Sequence, residues 1–224
     1  GTQTTLPPSR IQTDPNFQIP YIIQASFGME TQPFKLFQLR TNYQYQRGVH
    51  MLHGRNLNAP VPGLGRPDPT VGNITNVESS AYSSNHRLMV NIGPAKFVQG
   101  LFWSVNYLLM KNTNEADGPF SLPTNNFNLR ADRGPSAADF RHLISGFVNK
   151  RLPMGFGISA IFQATSALPY NITTGYDDNG DTVINDRPAG VGRNSARGAA
   201  RCLASPDCTA KTPGSLIAIA TFTT

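Results

Sequence analysis

From Lys35 to Arg47 the chain changes character at every second residue. Phe37, Leu39, Thr41, Tyr43 and Tyr45 fall on one face of an extended backbone, and Gln38, Arg40, Asn42, Gln44 and Gln46 fall on the other. A period of two is the geometry of a β-strand, whose successive side chains point to opposite faces. Helical spacing would group Phe37, Arg40, Thr41 and Gln44, a stripe with no common chemistry. The alternation returns from Ser84 to Ile92, where His86, Leu88 and Val90 oppose Asn85, Arg87, Met89 and Asn91. It continues in Lys96 to Lys111, Phe140 to Asn149 and Phe156 to Thr165, with further candidates at Tyr21 to Glu30, Val71 to Ser80 and Leu216 to Thr224. These segments predict an all-β chain of about eight strands in one domain spanning residues 1–224.

The connections sort into two kinds. Thr31-Gln-Pro33, Gly93-Pro-Ala95 and Lys150 to Pro153 are short turns, whereas the segments near 48–70, 112–135 and 170–214 are long. Long structureless connections count against a compact soluble domain. An antiparallel transmembrane β-barrel requires them, because one rim carries short periplasmic turns and the other long extracellular loops. Aromatic residues near strand ends, such as Tyr43, Tyr45, Trp103 and Tyr107, complete the pattern of a barrel segment in a bacterial outer membrane. The alternative is a soluble or surface β-sandwich used for adhesion or assembly, which would bury the apolar face and wet the polar one.

Composition narrows the choice. Asp, Glu, Lys and Arg make up 14% of the 224 residues, against roughly 25% in ordinary soluble domains. A spanning helix needs about 20 consecutive apolar residues, and the longest pure apolar runs are Tyr107 to Met110 and Leu216 to Ala220. The chain opens on GTQTTLPPSR, without an initiator Met or an apolar leader, and reads as a processed or excised piece. Cys202 and Cys208 are close enough for a loop-stapling disulfide in an oxidising compartment, with a pair of free thiols as the alternative.

Particular strings carry a family resemblance. RGVHMLHGRNLNAPVPG (Arg47 to Gly63), RPDPTVGNITNVESSA (Arg66 to Ala81), NEADGPFSLP (Asn114 to Pro123) and PYNITTGYDDNGDTVINDRPAGVGRNSARG (Pro169 to Gly198) resemble the carboxyl-terminal barrel region of Oar-like TonB-dependent receptors. Those outer-membrane proteins carry an amino-terminal carboxypeptidase-regulatory-like domain. The resemblance implies part of a barrel of about 22 strands around a plug, powered from the inner membrane for uptake or export of large or scarce solutes. It implies outer-membrane lipid as the surroundings, and a TonB-type energising complex reached only through a missing amino-terminal region.

Few residues suggest chemistry of their own. Asp177, Asn179 and Asp181 place oxygen ligands at alternate positions, with Gly180 permitting a sharp turn, as a structural Ca²⁺ loop requires; no other cofactor is expected. Pro188 stands where an EF-hand would have its bidentate Glu, and a hydrated Asx-rich turn is the alternative. Arg187, Arg193, Arg197 and Arg201 recur every four to six residues and are candidates for contact with lipopolysaccharide or an anionic ligand. Their alternative is pairing with Asp177, Asp181, Asp186 and Asp207 of the same loop. Basic residues are not interleaved with loop aromatics, so nucleic acid is not an expected partner. His50, His53, His86 and His142 form no metal-ligand pattern, and no nucleophile elbow, phosphate-binding loop or zincin motif points to an enzyme.

Overall fold

The computed structural model describes residues 7–96 and 99–197, and the backbone of 214–223. Its strands are β1 (Arg10–Thr13), β2 (Tyr21–Phe34), β3 (Phe37–Asn56), β4 (Ile74–Pro94), β5 (Leu101–Asn114), β6 (Gly134–Pro135), β7 (His142–Arg151), β8 (Gly157–Ser166), β9 (Pro169–Tyr170), β10 (Ala196–Arg197) and β11 (Gly214–Thr223). Seven long strands form one sheet in the order β11-β8-β7-β5-β4-β3-β2, each antiparallel to its neighbours. β1 adds to β4 in parallel, and β6 extends the edge of β5. The path runs from β2 to β11 without closing on itself among the described residues. Among the described residues the other sheet is the two-stranded β10-β9, too small to cover this one, so the sandwich alternative is not the fold.

There is one long strand fewer than the alternation predicts, because the segments expected at Val71 to Ser80 and Ser84 to Ile92 are both part of β4. The reason is a pair of bulges. Gly48 pairs with Ser83 and Met51 with Ala81, which leaves one extra residue on β3; Met51 with Ala81 and His53 with Glu78 then leaves one extra on β4. His50 takes up the first with φ 56°. Each bulge shifts the apolar and polar sets by one residue, so the period breaks while the strand continues. For the same reason β3 runs on to Asn56, into a segment expected to be loop.

Register assigns the faces. Met29, Thr41, Val90, Tyr107, Ile144 and Ala164 lie in one row across six strands, and Thr31, Leu39, Ile92, Val105, Gly146 and Phe162 lie in the next. The opposite face carries Glu30, Arg40, Asn91, Asn106, Ser145 and Gln163 in one row. Its polar groups bond across strands: Arg40 Nε to Glu30 at 3.1 Å, Gln46 to Gln24 at 2.8 Å and Asn91 to Asn106 at 2.6 Å. This face is less uniform toward β7 and β8, where the rings of Phe102 and Phe147 lie 5.1 Å apart, tilted by 49°, beside Ile161.

Among the described residues nothing packs on the apolar face. Phe27 is 74% exposed, and the buried apolar residues Ala59, Ile74, Val77, Ala81, Met110 and Ala196 all lie toward the loop end. Two aromatic girdles bound the apolar band. Phe34, Phe37 and Trp103 cluster by the short turns, with Phe37 and Trp103 rings 5.9 Å apart. At the loop end Tyr43 Oη meets His86 Nδ1 at 2.7 Å and Tyr107 Oη meets His142 Nδ1 at 2.8 Å. Tyr45 lies eight residue steps beyond Phe37 in β3, roughly 26 Å along the strand and about 20 Å in height once tilted, comparable to the hydrocarbon band of a transmembrane barrel.

This geometry predicts an asymmetric response to charge. Val90→Arg on the apolar face should lower stability in the membrane by about 2–4 kcal/mol, whereas Asn91→Arg next to it should cost little. Urea titration of the two variants in lipid vesicles measures the difference; equal losses would contradict the assignment of faces.

Candidate functional site

Above the girdles the three long connections, 57–73, 115–141 and the described part of 167–213, fold against one another. Their junction is polar. The largest fully buried side chains in the described residues are Asn56, Asn58, Asn76, Asp139 and Asp181. Buried polar groups of this kind are tolerated only when each is bonded.

Asn56, at the end of β3, joins all three connections. Its Oδ1 accepts from Asn58 N at 3.1 Å and Ile74 N at 3.0 Å, and its Nδ2 donates to Asn73 Oδ1 at 3.1 Å and Thr182 Oγ1 at 3.4 Å. Its backbone N–H donates to Asn126 Oδ1 at 2.8 Å, and Asn126 Nδ2 returns a bond to its carbonyl. An amide suits this position because it both donates and accepts without charge. Asn58 stitches the first loop to itself, donating to the carbonyls of Asp68, Val71 and Gly72 and accepting from Asp68 N at 2.8 Å.

The residues expected to hold Ca²⁺ are close together, and their oxygens accept from the loop's own backbone. Asp181 N donates to Asp177 Oδ1 at 3.0 Å and Asn179 Oδ1 at 2.9 Å, Thr182 N to Asp177 Oδ2 at 2.8 Å, and Val183 N to Asp181 Oδ1 at 3.0 Å. Asp186 accepts from the backbone of Asp178 and Asn179. These bonds are Asx turns. No group of three or more His, Cys, Asp or Glu in metal-holding geometry occurs among the described residues. Burial raises the Asp181 carboxyl above its ordinary range, and nearby Asp177 and Asp186 push the same way, against the N–H bonds from Val183 and Asn126.

The arginines are paired, though not with the carboxylates of their own loop. Arg187 Nη2 donates to Asp132 Oδ1 at 2.6 Å, Arg193 pairs with Asp117, and Arg197 pairs with Asp139, which also accepts from Arg141 at 3.1 Å. All three acceptors belong to the second connection, so these pairs clamp the third onto it. Arg193 also donates to the carbonyl and side chain of Asn114, at 3.0 and 2.7 Å. Burial raises the Asp117 carboxyl, but bonds from Asn114 and the Arg193 guanidinium outweigh it and hold the group below its usual range. Arg201, Cys202 and Cys208 lie outside the described residues.

A single-layer sheet with an unpacked apolar face, a polar opposite face, two aromatic girdles and long loops at one rim defines an outer-membrane β-barrel protein. The chain belongs to the outer membrane beta barrel domain family, whose model matches residues 1–216. The outer membrane is its location and lipid its surroundings. No relative among curated proteins matches it. Among solved structures it is similar to the outer membrane transporter YddB from Escherichia coli, at 13% identity and a TM-score of 0.58, over 78% of this chain and 24% of that one.

Asn56→Ala would leave the buried N–H groups of Asn58 and Ile74 without acceptors, each costing about 1–3 kcal/mol. Faster amide exchange at both positions and loosened loops in limited proteolysis are the expected results. A second outcome follows from pH. Because the Asp181 carboxyl is raised, its contribution to loop stability is complete below its ordinary value of 3.8 and is lost as pH rises through the raised one. Asp181→Asn should remove that step from the protease resistance of the loop, measured from acid to neutral pH.

Proposed function

We propose that this chain is a wall segment of an Oar-like, TonB-dependent outer-membrane receptor, and that it serves uptake or export of a solute across the outer membrane. The observation that carries the reading is the sheet itself. Its outer strands, β2 and β11, each pair with a single long neighbour, so the sheet is an arc, and an arc in hydrocarbon requires further strands to satisfy its edges. A wide barrel encloses an aqueous interior, and the Gln, Asn and Arg rows suit a wall that a hydrated solute passes. The strings from Arg47 to Gly198 support the narrower family. The packed loops form a rigid extracellular rim suited to recognition, with the energising complex acting through a region outside this chain.

Coupling to the inner membrane gives the test. Gln44→Cys, on the polar face, should react with a membrane-impermeant maleimide in intact cells, and Tyr43→Cys should not. In an energised receptor the Gln44→Cys rate falls when the proton gradient is dissipated. A rate that ignores the uncoupler would count against TonB dependence while leaving the barrel intact.

A further inference from the structure

One basic cluster is left out of the loop clamp. The outward-facing row next beyond the upper girdle is Arg47, Ser84 and Thr113, held in register across β3, β4 and β5. It lies roughly 7 Å farther along the strands than Tyr45, His86 and Lys111. The second connection contributes a 3₁₀ turn, Leu129–Asp132, and Arg130 and Arg133 line a hollow of about 380 Å³ together with Arg47, Ser84 and Thr113. The Arg47 guanidinium is held 5.7 Å from the Tyr82 ring centroid, and Ser84 Oγ and Thr113 Oγ1 meet at 2.7 Å on the floor.

The convergence of three arginines without ion pairs, in contrast to those of the clamp, points to a ligand. Arg187, Arg193 and Arg197 each pair with an aspartate, whereas no described carboxylate forms an ion pair with Arg47, Arg130 or Arg133. Asp132, their neighbour in sequence, is taken by Arg187. Glu115 also lines the hollow, but its Oε2 accepts from Tyr82 N at 3.0 Å. Three guanidiniums against one engaged carboxylate leave the hollow cationic. It opens on the lipid-facing side at headgroup height, where guanidinium forks match phosphate oxygens.

We infer that this hollow binds the phosphorylated headgroup of an outer-leaflet glycolipid. Arg47, Arg130 and Arg133 hold the phosphate, and the hydroxyls of Ser84 and Thr113 meet its sugar. A lipid bound there would fasten the second connection to the membrane surface and, through the Asp132 and Asp117 pairs, steady the third.

The test uses the full chain in detergent, titrated with bisphosphorylated lipid A and followed by native mass spectrometry. Saturable binding is expected, weakened at least about tenfold by Arg130→Gln/Arg133→Gln and further by Arg47→Gln. Lys35→Gln, at the opposite rim, should change nothing. Arg130→Lys/Arg133→Lys keeps the charge and should fall between, provided far-ultraviolet circular dichroism shows the same strand content in every variant. Equal binding of dephosphorylated lipid A, or lipid A binding unchanged in the triple Gln variant, would overturn the assignment. So would full displacement by millimolar inorganic phosphate, which would make the hollow a site for a free anion.

Discussion

A sheet one layer thick has two faces and no interior, and each face must find its own solvent. Here the apolar rows through Leu39, Val90, Tyr107 and Ile144 find no protein to pack against, and the polar rows through Arg40, Asn91 and Asn106 bond one another across the strands. Hydrocarbon on one side and water on the other satisfies both, with the backbone closed by the ladder. The rest follows from this division. The strands need little charge, tyrosine and histidine collect where lipid gives way to headgroups, and the buried apolar residues among those described lie toward the loops.

Beyond the girdles the same chain meets the opposite problem. Its long connections leave large apolar side chains such as Leu64, Phe120 and Ile184 exposed and are fastened by hydrogen bonds and ion pairs. Asn56 does this at one point with neutral amide chemistry, and Arg187, Arg193 and Arg197 do it along a seam with charge. Ion pairs largely removed from water are costly to break, which gives the loops a single arrangement. The arginines used this way are the regularly spaced ones. Three arginines outside these pairs, Arg47, Arg130 and Arg133, come from segments far apart in the chain and line one hollow.

Much of the fold is legible from period alone, because the alternation from Lys35 to Arg47 is unbroken and that from Phe140 to Thr165 keeps its register despite Phe147 and Ile161 on the polar face. The upper halves of β3 and β4 are not, since two compensating bulges shift the faces around His50 and Ser79 and make one long strand resemble two short ones. The candidate site was less readable. The acidic run at Asp177 is legible as alternating oxygens, but its spacing alone does not show which backbone N–H groups bond to them. Asn56, Asn58 and Asn126 stand in the asparagine-rich strings RNLN and NNFN, a composition that turn-forming loops share.

By itself the sequence determined that this is an antiparallel all-β chain with one apolar and one polar face, short turns at one rim and long loops at the other. Those properties depend on the side-chain period and on turn residues, which are local. Only the tertiary structure decided which arginine meets which aspartate, which amide joins three loops and which cations remain uncommitted. Partners such as Arg193 and Asp117, or Asn56 and Thr182, are brought together by the packing of separate connections, and no local rule records that packing.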